Sequence, residues 1–370
     1  MYSFATFVKP VLPKLEDGYM SRVQSETTLL RKNLDAYGLQ LPAPLGLALN
    51  AHVHERRERC EGRPMMGECA PFLIGPLFSI TGSAVRSVAY PWLLMYEYSL
   101  LLDDLVDTAR SNRSNETILS QVLLATSVSE FRNVVGDEVS IWNAYATYRD
   151  EWLNAMLHEV NSPADGTDQF SEDAILQHGK KAAIVKFCAA CMVFLDKGRL
   201  LTVREEQAID CFCSGVQMLD DVADITEDFL DHRDSILLGD IYDWIQKHCS
   251  YCDNNSTGSQ SSCLVAGLVY SGAVSRAWRT AADCFDTALG LLNGCENEVS
   301  FFFVNLARRC RHEAQLLDVD IKALPPLDPP FICEYIGEEY SARRFLDSSR
   351  VPESWRRILE RIKTGPKASQ

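Results

Sequence analysis

Apolar positions along this chain recur every three or four residues over stretches of about 15–30 residues, the period of a helix with one buried face. Val, Ile and Thr do not gather in short alternating runs, so no series of strands is predicted. Breaker-rich segments separate the helical stretches: LPAPLG at 41–46, SNRSN at 111–115, NSPADGTD at 161–168, CDNNSTGSQSSC at 252–263 and LPPLDPP at 324–330. The expected fold is all-α. One helical bundle domain is expected over 45–320, with an N-terminal extension at 1–44 and a helical C-terminal tail at 321–370. The tail is basic (SARRF, SWRRILERIK) and reads as a lid, a dimer contact or a solvated end.

Two apolar runs end in acid. YEYSLLLDDLVD carries Asp103, Asp104 and Asp107, and CFCSGVQMLDDVAD carries Asp220, Asp221 and Asp224. On a helix, i and i+4 share a face and i+1 flanks it. Three clustered carboxylates repel one another unless a cation neutralises them. Their oxygens suit hard cations, and Mg²⁺ held by a few carboxylates usually also holds substrate phosphates. The first of these helices is expected to start near Val88–Trp92 and to end near Arg110. The plain alternative for each trio is a solvated helix end.

Composition narrows the function classes. The 370 residues are 46% hydrophobic and 24% charged, enough apolar material for a sizeable core. A net charge of −15 argues against nucleic acid as a partner. It does not exclude a small anion, because bound cations reverse the sign of a site locally. No apolar run is long enough to span a bilayer; the best are interrupted by Glu97 and Lys186. The N-terminal residues show no secretory signal, so a cytoplasmic protein with reduced thiols is expected. The thirteen cysteines include the pairs Cys188/Cys191 and Cys249/Cys252. The first pair lies in an apolar run, where cysteines pack well, and the second borders a polar loop. Zinc is the lesser reading. The sequons at Asn112, Asn115, Asn254 and Asn255 are expected to be idle.

In combination these motifs resemble the class I isoprenoid synthase superfamily, which includes trans-prenyltransferases and terpene synthases. The resemblance covers about residues 60–240. SLLLDDLVD resembles the first aspartate-rich motif, followed by Arg110 and Arg113 at the positions of an arginine pair. GVQMLDDVADITED resembles the second, with Gln217 before it. GKKAAIVKFCAA resembles the helix whose lysine touches the diphosphate; Lys180 matches that lysine, and Lys181 replaces a threonine. Asp220, Asp224 and Asp228 also fit the terpene synthase spacing of metal ligands, so the set is either Asp220/Asp221/Asp224 or Asp220/Asp224/Asp228. A basic motif that binds the second substrate of prenyltransferases is incomplete: Arg63-Pro64 remains, but Cys60 and Glu61 stand where a lysine and an arginine belong. Arg56, Arg57 and Arg59 lie near enough to rescue it by a shifted alignment.

What the resemblance implies is a helical bundle of the isoprenoid synthase type around a central apolar cavity. Three Mg²⁺ ions are implied, with Mn²⁺ as a substitute, and a homodimer. The implied activity is ionisation of a prenyl diphosphate, farnesyl or geranylgeranyl, by a terpene synthase. The metal would be held by Asp103, Asp104, Asp107, Asp220, Asp221, Asp224 and Asp228. The diphosphate would be held by Lys180, Lys181, Arg110, Arg113 and, more weakly, Arg233. Tyr98, Gln217 and Phe187 are expected to line the cavity, while any one of Trp92, Tyr96, Tyr98, Phe187 and Phe194 also reads as ordinary core. Lys186 is a lesser candidate for the anion, and Glu227 and Asp231 read as solvated. Three other functions stay open: an elongating prenyltransferase, an all-α metal-dependent phosphohydrolase, and a non-catalytic subunit that keeps the fold.

Overall fold

The computed structural model describes residues 18–60, 62–107, 113–161, 170–231, 235–248, 266–292, 296–324 and 353–365. Every regular element among them is helical. Ten α-helices run through the first two thirds of the chain: α1 Gly18–Gln40, α2 Ala43–Arg59, α3 Ala70–Leu77, α4 Gly82–Asp107, α5 Ser114–Val135, α6 Val139–Asn161, α7 Glu172–Gly179, α8 Val185–Lys197, α9 Val203–Asp231 and α10 Ile236–His248. A single 3₁₀ turn, Lys180–Ala182, joins α7 to α8. Then come α11 Ala273–Leu291, α12 Glu298–Lys322 and α13 Glu353–Thr364.

Local chemistry sets the starts of these helices. Pro42 precedes α2 and Pro44 lies in its first turn, where the missing N–H costs nothing. The expected loop at 41–46 therefore shrinks, and helix resumes at Ala43. Thr202 and Glu205 start α9 reciprocally: the Glu205 amide donates to Thr202 Oγ1 at 3.3 Å, and the Thr202 amide donates to Glu205 Oε2 at 2.8 Å. Asn297 and Ser300 form the same kind of box at α12. The Asn297 side chain also donates to the carbonyl of Pro76, tying α12 to the end of α3. The helix of the first motif begins at Gly82 and runs through Pro91, several residues earlier than the sequence suggests.

Packing makes α4, α8 and α9 the centre. Trp92, Leu93 and Leu94 of α4, Phe187 to Val193 of α8 and Ile209 of α9 are all buried. α9 packs chiefly on α11, α11 on α12, and α4 on α5. The described part of residues 1–44 is largely α1, whose Val23 and Leu34 join the core. Arg31 of α1 donates to Glu68 and to the carbonyls of Gly62 and Arg63. Of residues 321–370, α13 brings Trp355, Ile358, Leu359 and Ile362 into the same core. Its Arg361 pairs with Glu313 and Asp320 of α12. None of the described helices is long and apolar enough to cross a membrane.

Candidate active site

A cavity of about 230 Å³ lies between α3, α4, α6, α9 and α12. Helical spacing explains which residues reach it. On α4 these are Trp92, Tyr96, Ser99, Leu100 and Asp103; on α9 they are Phe212, Cys213, Val216, Gln217 and Asp220. In both sets single residues or adjacent pairs recur every three or four positions, so each is one face of its helix. The aspartate is the last member of each face, after aromatic and aliphatic ones. Asp103 and Asp220 thus line one cavity whose other walls are mostly apolar. Trp152 of α6 and Phe303 of α12 complete the aromatic wall. Met65, Met66 and Gly67 run along it before α3. The Gly67 carbonyl accepts from Trp92 Nε1 at 2.8 Å, and a Cβ at Gly67 would fall 2.4 Å from the Tyr96 ring. Only glycine lets this strand of chain lie so close to α4.

The second aspartate of each motif turns away from that face toward a histidine. Asp104 Oδ2 lies 3.3 Å from His52 Nδ1 on α2. Asp221 Oδ1 lies 3.1 Å from His178 Nε2 at the end of α7. Burial would raise the Asp221 carboxyl, but His178, Lys181 and the Ile236 amide outweigh it and hold it below the ordinary value. Burial likewise opposes the lowering at Asp104, which His52, Arg56 and Arg113 achieve. Asp103 and Asp104 are exposed, Asp220 and Asp224 half-buried, and Asp221 and Asp228 buried. Among the described side chains no group of three acids, histidines or cysteines stands ready as a metal cage. The side chain of Asp107 lies outside those described, as do those of Glu227 and Asp231. The donors on the cavity face and beside it are carboxylate oxygens, the chemistry that suits Mg²⁺ or Mn²⁺ rather than a soft metal.

The basic residues divide. Lys181 lines the cavity, in the 3₁₀ turn beside α9. Lys180, its neighbour, lies 3.8 Å from Glu151 of α6. Lys186 is 3% exposed and is held by Glu151 at 2.5 Å and Asp210 at 2.9 Å, which raise its ammonium above the ordinary value despite burial. Arg113 precedes α5 and donates to the carbonyl of Asp104 at 2.5 Å. Arg110 and Arg233 lie outside the described residues. Upstream, Arg56 pairs with the buried Glu97 and lies over the Tyr96 ring, and Arg57 pairs with Asp35. Cys60 is buried; Glu61 and the Arg59 side chain lie outside the description.

Of the three residues expected on the cavity wall, Gln217 is there. Tyr98 and Phe187 are not among the lining residues. Tyr98 is five residues before Asp103, about 140° around the helix, and its ring meets the edge of Trp152 instead. Phe187 faces α5 and α6, packed on Phe131, Trp142 and Tyr145. Tyr96 and Trp92, seven and eleven residues before Asp103, have the matching phase. Cys188 and Cys191 are buried on α8, and burial pushes both thiols well up. Cys249 and Cys252 lie outside the described residues, with Asn112, Asn254 and Asn255. Neither His52 nor His178 carries a sequence signal, since each reaches its aspartate from a distant helix. No protein-family model matches this chain, and no curated protein matches it.

Proposed function

We propose that this chain is a class I terpene synthase that ionises an allylic prenyl diphosphate and releases pyrophosphate. One observation carries the reading: Asp103 and Asp220, from two motifs 117 positions apart, stand on the same faces as the aromatic residues of one cavity. Acid at one end and an apolar wall beyond it suit a substrate with a diphosphate head and a hydrocarbon tail.

Mg²⁺, held by Asp103, Asp104 and Asp107 on α4 and by Asp220, Asp224 and Asp228 on α9, would supply the charge that stabilises the departing diphosphate. Asp220, Asp224 and Asp228 are four apart and share a face of α9 that Asp221 does not, which favours that set over one containing Asp221. Lys181 adds positive charge at the same place. The walls do the rest. Leu73, Ile74 and Leu77 exclude water from the hydrocarbon chain. Trp92, Tyr96, Trp152, Phe212 and Phe303 offer π faces to a cationic chain. The same apolar wall speaks against a nucleotide phosphohydrolase, which needs polar partners for a base.

The pairing of Arg56 and Arg57 favours ionisation over elongation. Arg56 and Arg57 each pair with a carboxylate, so neither is offered to a second diphosphate. Turnover of a single allylic diphosphate to a hydrocarbon or alcohol supports the proposal. Turnover only with isopentenyl diphosphate replaces it with a prenyltransferase.

A further inference from the structure

The C-terminal half of α7, which leads into the turn before α8, is fastened to α9 at three places. Ser214 Oγ on α9 donates to the carbonyl of Ile175 at 3.0 Å. Gly179 lies so close to α9 that a Cβ there would fall 2.1 Å from Ser214 Oγ and 3.0 Å from the Asp210 carbonyl. His178 then meets Asp221, with both side chains under a tenth exposed. The three contacts are different in kind. The first is an ordinary polar contact, the second is a close approach of backbones, and the third joins two buried polar groups. A buried polar pair costs free energy unless the partners stay in register, so it fixes geometry more sharply than an apolar contact of the same size. Two residues beyond Gly179, Lys181 lines the cavity with Asp220. Its charge also helps to hold the Asp221 carboxyl low.

We propose that His178 is a positioning residue. Its hydrogen bond to Asp221 locks the α7–α8 turn on α9 and so sets Lys181 beside Asp220 at the polar end of the cavity, where Lys181 meets a diphosphate. The last clause rests on the proposed function; the latch does not. His178 touches no substrate in this account and acts only through the turn. A phenylalanine fills the same space and removes the hydrogen bond. A glutamine keeps an N–H donor at nearly the same reach as the imidazole Nε2.

The test has two arms on the full-length chain, using His178→Phe, His178→Gln, Lys181→Gln and the double variant His178→Phe/Lys181→Gln. In the first arm, hydrogen exchange is followed at the Ala183 and Lys186 amides, which donate to the Lys180 and Ala183 carbonyls in the turn and at its junction with α8. Exchange there accelerates in His178→Phe and stays near wild type in His178→Gln. Unchanged exchange in a folded His178→Phe overturns the latch. If His178→Phe does not fold, faster exchange in Lys181→Gln than in His178→Gln overturns it, because the latch rather than the lysine would then not be holding the turn.

In the second arm, inorganic pyrophosphate is titrated calorimetrically with Mg²⁺ present. His178→Phe and Lys181→Gln each weaken binding by about tenfold, and the double variant is little worse than Lys181→Gln alone. Full additivity overturns action through Lys181. Absence of pyrophosphate binding in the wild type, with accelerated exchange in the first arm, removes the proposed function and leaves the latch standing.

Discussion

His52 on α2 reaches Asp104 on α4, with Nδ1 3.3 Å from Oδ2, while its Nε2 lies 3.6 Å from Glu97. One imidazole therefore lies between an exposed acid of the first motif and a buried acid two turns earlier on the same helix. A histidine so placed fixes the rotamer of Asp104. Replacing His52 with phenylalanine frees the carboxylate, and Mg²⁺ affinity should fall about tenfold. Calorimetric titration of Mg²⁺ reads this directly. Equal affinity in a folded variant means that Asp104 needs no such support.

Asp103→Asn and Asp220→Asn should each lower turnover by at least about a hundredfold. Little stability is at risk, since Asp103 is exposed and Asp220 only half-buried. Thermal unfolding measured beside turnover separates the two effects. Wild-type turnover in either variant removes the site.

Phe303 reaches the cavity from α12 and packs on Phe212 at 4.8 Å and Phe285 at 5.3 Å between ring centroids. Phe303→Leu should open the wall opposite α4 at a cost of about 1 kcal/mol. The preferred substrate should then lengthen by one isoprene unit, read as relative kcat/KM on a series of prenyl diphosphates. An unchanged preference would show that another residue sets the length.

Glu205 should make stability depend on pH in the acid range. Hydrogen bonds from Arg199 lower its carboxyl to about 2 from an ordinary 4.5, against burial. The folded value is the lower one, so the stabilisation is present above pH 4.5 and is lost as pH falls from 4.5 toward 2. Arg199 is 41% exposed, which screens the pair, so Glu205→Gln should cost about 1 kcal/mol near neutrality. It should also flatten the dependence in that window. Urea melts at pH 7 and pH 3 test both; equal loss at the two pH values contradicts the assignment.

Much of this was legible in the sequence because it is local. The helical period gives the all-α class, and the apolar runs before Asp103 and Asp220 foretell faces that line one space. Phase was the weak point. Tyr98 is near Asp103 along the chain, but a separation of five residues points it elsewhere, whereas Tyr96 has the right rotation. Lys180 and Lys181 are adjacent, and only the turn after α7 shows which of them reaches the cavity. Trp152, Phe303, His52 and His178 come from helices far off in sequence, and no spacing rule connects them to either motif. Arg56 and Arg57 could not be assigned from sequence because their partners, Glu97 and Asp35, lie on other helices.

The most direct measurement is turnover of geranyl, farnesyl and geranylgeranyl diphosphate with Mg²⁺, with and without isopentenyl diphosphate, read by gas chromatography–mass spectrometry. The account predicts a hydrocarbon or alcohol and free pyrophosphate from the allylic diphosphate alone. A longer linear diphosphate, formed only when isopentenyl diphosphate is present, would contradict it.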